Sequence, residues 1–182
     1  MKKLVVLIVL LIPFVGNSQS LNFFLKSSVG LSKSITSYDG VSTDIKIGYN
    51  LFKYVGVEMS TNNTYLYNND GLSGFAESFT NTGIGIGIIV YPISFKGHSL
   101  QLVGGYTQNI LYLTTAYVDP IEPIFNAATS SRNFSISPYW GGGYFYQFKR
   151  IAVGIDYRQN RIKKYTGGFT NKQYLFSLIK SF

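Results

Sequence analysis

The charged side chains best placed for chemistry recur at alternate positions of four sequence segments. Six residues have this placement: Lys26, Asp44, Lys46, Glu58, Asp156 and Arg158. Alternate residues of an extended chain point to the same side, so these side chains share a face with small residues such as Ser28 and Gly48. Three positive and three negative charges on an enclosed face predict mutual salt bridges, because an unpaired buried charge is costly.

This set of charges has two interpretations. One is an ion path or gate, and the other is a plug of paired side chains that fills a narrow interior. We favour the plug. The strand pattern of the chain predicts a barrel of eight strands, and such a barrel encloses a space just wide enough for side chains.

Other kinds of reactive site find little support. His98 is the only histidine, there is no cysteine, and a zinc site would lack its usual ligands. A lipid-modifying enzyme of the outer membrane would need a histidine near the outer rim of its barrel. His98 instead falls in a turn that is predicted at the periplasmic end. The glycines of the segment 83–87 lack the spacing of a dinucleotide fingerprint. We therefore expect a non-enzymatic protein with no catalytic residue, metal or cofactor.

Two further groups of basic residues fall near strand ends. Arg158, Arg161, Lys163 and Lys164 form one group, and Lys53, Lys96, Lys149 and Arg150 form the other. The first group is a candidate contact for lipopolysaccharide phosphates, although a run of charge is often merely solvated. The second group predicts neighbouring anionic lipid headgroups.

The elements that must position these residues are strands. Eight segments alternate apolar and polar side chains, as where Ile84, Ile86 and Ile88 oppose Gly83 and Gly85. The connections alternate in length: short ones at 51–54, 92–98 and 148–150, and longer ones at 68–78, 114–132 and 161–171. This pattern predicts an all-β fold, an eight-stranded antiparallel up-and-down transmembrane β-barrel with both termini in the periplasm.

Composition indicates which face looks outward. Apolar residues make up 46% and charged residues only 13% of the chain, and aromatic residues gather near strand ends. Aromatic girdles and a sparsely charged surface favour lipid outside the barrel. A soluble lipocalin-like carrier, with its apolar face inside, is the alternative because alternation alone gives no direction.

The first 18 residues have the features of a cleaved signal peptide. Lys2 and Lys3 precede an apolar run from Leu4 to Val15, which is too short to span a bilayer. Residues 19–182 then form the barrel domain. The formal charge of +8 falls to +6 without the two signal lysines. Export makes nucleic acid an improbable partner.

The last strand carries a resemblance to a known family. Tyr174, Phe176, Leu178 and Phe182 alternate toward a terminal Phe, whereas Lys180 departs from the pattern. This segment resembles the C-terminal strand of outer-membrane proteins, which implies recognition by the barrel assembly machinery. The chain from residue 20 onward is similar to OmpA/OmpX-like eight-stranded barrels, especially the outer-membrane β-barrel domain family of Bacteroidota. The resemblance implies location in the outer membrane of a Gram-negative bacterium.

These observations predict a structural or surface-binding protein that acts through its external loops. Its expected partners are outer-membrane lipid, lipopolysaccharide, and an extracellular protein or glycan. A narrow channel or transport route for small solutes or apolar molecules is the alternative function.

Overall fold

The computed structural model describes residues 22–34, 38–70, 75–118, 125–162 and 169–182. Eight strands occupy these ranges: β1 Asn22–Ser34, β2 Asp39–Phe52, β3 Val55–Asp70, β4 Phe75–Phe95, β5 His98–Val118, β6 Phe125–Phe148, β7 Ile151–Ile162 and β8 Phe169–Ser181. The described residues contain no helix long and apolar enough to cross a membrane. The predicted signal peptide lies outside the described residues.

The strands form one closed barrel in chain order. Each strand pairs antiparallel with the next, and β8 pairs with β1 from Phe24–Ser181 to Ser34–Asn171. Closure gives every strand a partner on both sides over at least part of its length, so the backbone groups there bond within the sheet. The predicted eight-stranded antiparallel barrel is confirmed.

The two faces of the wall have opposite chemistry. Large apolar side chains point outward, and Leu31, Ile86 and Ile136 are each at least 64% exposed. Polar residues on the other parity, such as Asn81 and Ser137, are fully buried inside. Period-2 alternation produces this arrangement because neighbouring side chains on a strand point to opposite faces.

Three tight turns join the strands at one end, which we call the turn rim. They contain Lys53–Tyr54, Lys96–Gly97 and Lys149–Arg150, and each lies within a predicted short connection. Lys96 and Gly97 have φ values of 48° and 85°. Two successive positive φ values suit the twist of a two-residue hairpin, and glycine adopts such a value without steric cost.

Strand lengths differ from the prediction at the opposite end, the loop rim. The predicted loops 68–78 and 114–132 are largely strand, because β4 and β5 each span 21 residues and β6 spans 24. The predicted loop 161–171 is shorter at both ends, since β7 runs to Ile162 and β8 begins at Phe169. Backbone pairing continues at these ends although the apolar alternation has stopped.

The ends of β5 and β6 form a hairpin extension, residues 112–118 and 125–132. They remain paired from Tyr112–Arg132 to Val118–Phe125. β6 pairs with β7 only from Tyr139 toward the turn rim. Within the described residues, β6 therefore has one edge without a strand partner over 125–138.

Candidate functional site

The six charged residues predicted to share one face all lie in the lumen. The alternation of β1, β2, β3 and β7 directs them inward, and none of the six side chains is more than 9% exposed. Each positive side chain meets a negative one. We call this set the ionic layer.

Two ion pairs of this layer connect strands that are distant in sequence, and a third connects the neighbouring strands β2 and β3. Lys26 Nζ lies 2.6 Å from Asp156 Oδ2, and Lys46 Nζ lies 2.9 Å from Glu58 Oε1. Arg158 Nη1 donates a hydrogen bond to Asp44 Oδ2 at 3.0 Å, from β7 to β2. Because charges of both signs are equal in number and paired, the layer carries no net charge.

Tyr139 joins the ionic layer although the sequence analysis did not single it out. Its hydroxyl donates a hydrogen bond to Glu58 Oε1 at 3.1 Å, and its ring centroid lies 4.0 Å from the Arg158 guanidinium. Gly87 and Gly105 leave room for this side chain, because a Cβ on Gly87 would lie 2.2 Å from the Tyr139 hydroxyl oxygen and one on Gly105 would lie 2.9 Å from the ring. The inward parity of Tyr139, shared with Ser137 and Gly141, was the available signal.

An amide layer fills the lumen next to the ionic layer, on the side of the loop rim. It contains Asn62, Asn81, Asn109, Asn160, Asn171 and Gln173, all buried. Asn81 Nδ2 donates to Asn109 Oδ1 at 3.2 Å, and Gln173 Nε2 donates to Thr64 Oγ1 at 2.8 Å. Amide side chains can satisfy one another because each carries both donors and an acceptor. Sequence reasoning did not identify this layer, although the parity of its members indicates it.

Apolar side chains close the lumen at both ends. Leu66, Phe79, Leu111 and Ile162 form a buried cluster at the loop rim. Phe24, Ile89 and Phe145 are buried near the turn rim. The lumen is therefore filled in sequence by apolar, amide, ionic and again apolar side chains.

A phenol and a carboxylate lie beside the apolar cluster at the loop rim. The Tyr38 hydroxyl donates a hydrogen bond to Glu77 Oε2. Burial, together with this carboxylate, raises the pKa of Tyr38 above its ordinary value. The phenol thus stays protonated and keeps its hydrogen bond.

The structure divides the predicted lipopolysaccharide contact. Arg158 belongs to the ionic layer and is 2% exposed, so its assignment to an outer rim is wrong. It lies inside the wall because its parity on β7 matches that of Asp156. Arg161 is exposed, while Lys163 and Lys164 lie outside the described residues.

His98 begins β5 at the turn rim. Its Nδ1 shares a hydrogen bond with the Tyr144 hydroxyl, and its ring centroid is 5.0 Å from that of Tyr146. All three side chains are exposed on the outer wall, apart from the lumen carboxylates. Among the described residues, no group of three His, Cys, Asp or Glu side chains could hold a metal ion.

The residues of the predicted assembly signal point outward from β8. Tyr174, Phe176 and Leu178 are about half exposed, and Phe182 follows the end of the strand. The Phe182 backbone N–H donates to the Phe23 carbonyl at 2.9 Å, and their ring centroids are 6.0 Å apart. The terminal residue thus helps to join β8 to β1.

Comparison with known proteins identifies the fold. No protein-family model matches the chain, and no curated protein matches its sequence. A major outer membrane protein of Thermus thermophilus has a TM-score of 0.62 and 12% identity, over 90% of this chain and 100% of that chain. The attachment invasion locus protein Ail of Yersinia pestis has a TM-score of 0.58 and 11% identity, over 90% and 99%.

Neisserial surface protein A is similar to the same degree. Its TM-score is 0.55 and its identity 15%, over 89% of this chain and 97% of that chain. All three solved structures are small barrels from bacterial surfaces. Their TM-scores show a shared architecture, that of small outer-membrane barrels. At such low identities the similarity concerns the fold alone.

Proposed function

We propose that the chain is an integral outer-membrane protein whose barrel is closed to solutes and whose hairpin extension binds a partner outside the cell. The observation that carries the membrane location is the two-faced wall. Its outside is apolar around the whole barrel, and its inside is polar and ion-paired. A soluble lipocalin-like carrier requires the reverse, because its ligand cavity is apolar.

The filled lumen supports a structural role over transport. Four ion pairs, the amide layer and two apolar closures occupy the space that a solute would need. A hydrophobic constriction excludes water and ions even where it is slightly wider than they are. The ionic layer is accordingly a plug that holds the wall together.

An enzymatic role is not part of this proposal. The histidine lies on the outer wall at the turn rim, and the lumen carboxylates are engaged with Lys26, Lys46 and Arg158. A lipid-modifying reaction would need a nucleophile and a carboxylate beside this base, whereas the partners of His98 among the described residues are the Tyr144 hydroxyl and the Tyr146 ring.

The hairpin extension is the surface that we assign to binding. A membrane-spanning strand needs about 9–11 residues, and β6 has 24. The excess length runs past the end of β7, and within the described residues β6 has no strand partner on that side over 125–138. Backbone groups on such an edge can pair with an extended segment of another protein, and the adjoining loops could instead hold a glycan.

The proposed function includes an orientation. Short turns of outer-membrane barrels face the periplasm and long connections face outward, so both termini are periplasmic. The outward side chains of β8 then present the assembly signal to the barrel assembly machinery. Arg161, Lys163 and Lys164 become the candidate contacts for lipopolysaccharide phosphates.

Heat-dependent gel migration tests the membrane assignment. A closed barrel pairs its backbone groups within the sheet and should resist SDS until it is boiled. We expect the outer-membrane fraction to contain a band of mature size that migrates faster without boiling. Recovery in the soluble periplasm without a heat shift would refute the assignment.

Conductance across planar bilayers tests the closed lumen. The purified barrel should give no steady channel, because the plug fills the interior. The variant Leu66→Gly/Leu111→Gly, which removes two members of the apolar cluster, is the comparison. Steady conductance by the wild-type barrel would favour the transport alternative.

A further inference from the structure

A groove of about 740 Å³ crosses the outer face of the wall from β1 to β5. Two neighbouring rows of side chains form its sides. Strand register aligns the first row as Phe23, Tyr49, Val57, Ile88 and Gly104, and the second contains Ile47, Met59, Ile86 and Tyr106. All these residues lie on the outward face. The groove therefore offers an apolar surface to the membrane.

The end of the groove that lies farther from the turn rim is widened by Gly104. This residue has outward parity, so a side chain here would project into the groove. A Cβ added to Gly104 would have its nearest heavy atom, the Tyr139 carbonyl oxygen, at 3.9 Å. Space thus exists on the outer side of β5 where neighbouring positions carry large side chains.

The other end of the groove, at Phe23, reaches the turn rim. Phe23 is the second residue of β1, whereas Ile88 and Gly104 lie well inside β4 and β5, so the groove rises from the rim into the apolar belt. The Phe182 ring centroid lies 6.0 Å from that of Phe23, and Lys180 Nζ lies 5.2 Å from the Phe182 centroid. A basic side chain therefore stands beside the groove entrance.

A second lysine lies near the same end. Tyr49 and Val57 flank the turn that contains Lys53, whose Nζ is 5.0 Å from the Tyr54 ring centroid. The three tight turns and the last residues of β8 together carry Lys53, Lys96, Lys149, Arg150 and Lys180 and no Asp or Glu. This end of the wall therefore attracts anions.

We propose that the groove binds an acyl chain of an anionic phospholipid whose phosphate is held by Lys180. An apolar channel that ends beside a lysine of a basic rim matches a hydrocarbon chain attached to a phosphate. A second copy of the chain fits less well, because it would bring another basic rim against this one. The inference rests on the proposed membrane location and adds a ligand class to the wall. It also gives Lys180 a role at the position where it departs from the C-terminal pattern.

Lipid retention measured by native mass spectrometry tests this site. The full barrel is placed in nanodiscs of phosphatidylcholine with a minor share of phosphatidylglycerol, and the lipids that stay bound after release are counted. We expect selective retention of phosphatidylglycerol. Lys180→Gln should lower it about fivefold, the effect expected of one basic side chain at an anionic surface.

Filling the groove provides an independent variant. Gly104→Leu places a branched side chain in the space that the acyl chain would use, and retention should fall although every lysine remains. Thr43→Leu adds the same side chain to an outward position of β2 that does not line the groove, so it should retain lipid normally. Met59→Trp serves as a second filling variant if Gly104→Leu gives no heat-shifted band.

Lys149→Gln is the matched control for charge. Lys149 lies at the same rim and over an aromatic ring, with Nζ 5.6 Å from the Phe148 centroid, but outside the groove. Equal losses for Lys149→Gln and Lys180→Gln would overturn the site and leave only general attraction by the rim. Absence of phosphatidylglycerol preference in a heat-shifted wild-type barrel would overturn it as well, with the proposed function intact. Failure of the wild-type protein to show any heat shift would overturn both.

Discussion

At the scale of single residues, the ion pair of Arg158 and Asp44 is the contact whose loss by mutation should destabilise the barrel most. Both side chains are almost fully buried, their charged atoms are 3.0 Å apart, and they join β7 to β2. Removal of one partner leaves the other as an uncompensated charge in the lumen. The energetic effect should therefore exceed the value of an ordinary hydrogen bond.

Asp44→Asn is expected to lower the free energy of unfolding by about 3–5 kcal/mol, because Arg158 loses its only ion-pair partner in the described residues. Urea titration of the barrel folded into lipid vesicles measures this change. The double variant Asp44→Asn/Arg158→Met restores equal numbers of positive and negative charges in the layer and should recover part of the loss.

Asp39→Asn is the control for this prediction. Asp39 also pairs with a lysine, with Lys33 Nζ at 3.7 Å, but both side chains are more than 60% exposed. Solvent screens such a pair, so the expected change is below about 1 kcal/mol. Similar losses for Asp39→Asn and Asp44→Asn would contradict the assignment of Asp44 to a buried network.

At the scale of elements, β5 shows how one strand serves two environments. Gly104 and Gly105 are neighbours that face opposite sides of the wall. A Cβ on Gly105 would lie 2.1 Å from the Ile86 carbonyl oxygen and 2.9 Å from the Tyr139 ring, whereas a Cβ on Gly104 meets its nearest atom at 3.9 Å. Only the inward glycine is required by packing.

Gly105→Ala should therefore destabilise the barrel by about 1–3 kcal/mol, the usual effect of overpacking a filled interior. Gly104→Ala should change stability by less than about 0.5 kcal/mol. Both variants are compared by urea titration in the same vesicles. Equal destabilisation would mean that loss of glycine in β5 matters irrespective of direction.

The number of strands and the direction of their side chains, outward or inward, could be predicted from the sequence. The lengths of β4, β5 and β6 could not. Alternation of the kind seen from Ile84 to Ile88 arises because one face is outward and apolar and the other is inward. In the hairpin extension this contrast is absent, and polar residues around Thr114 and Ser130 look like loop. Pairing with β4 and across the hairpin maintains the strands there.

The contents of the lumen were predictable by residue type but not by partner. Parity alone directs Asp44 and Arg158 inward. Their contact depends on how the strands are staggered around the closed barrel, and no local pattern encodes that stagger. The same limit led to the placement of Arg158 at the rim, since a neighbouring basic run suggested an exposed cluster.

At the scale of the whole molecule, the barrel and the hairpin extension are separable. Leu113 and Ser131 are paired across β5 and β6, and the lumen residues Asn109 and Ser137 lie on the barrel side of this pair. Among the described side chains, the layers that fill the lumen contain no residue beyond this pair, although β4 pairs with residues 114–117 through its backbone. The extension should therefore contribute to binding and little to barrel stability.

Replacement of residues 114–130 by an Asn-Gly turn tests this division. The turn closes a two-residue hairpin between Leu113 and Ser131, and the shortened protein should keep its heat-shifted band and its unfolding midpoint in urea. Binding to partners outside the cell should be lost. Loss of the heat shift would instead mean that the barrel needs the extension to fold.

The ion pairs of the lumen also bear on the order of folding. Lys26 and Asp156 are 130 residues apart, and Ser28 and Ser177 are 149 apart, so these contacts form only when the last strand reaches the first. Before that moment the sheet is open, and its charged side chains are surrounded by water. Closure of the seam brings these partners together, whereas Lys46 and Glu58 lie on adjacent strands and can pair before it. The contacts that complete the filling of the lumen therefore depend on the same event that completes the wall.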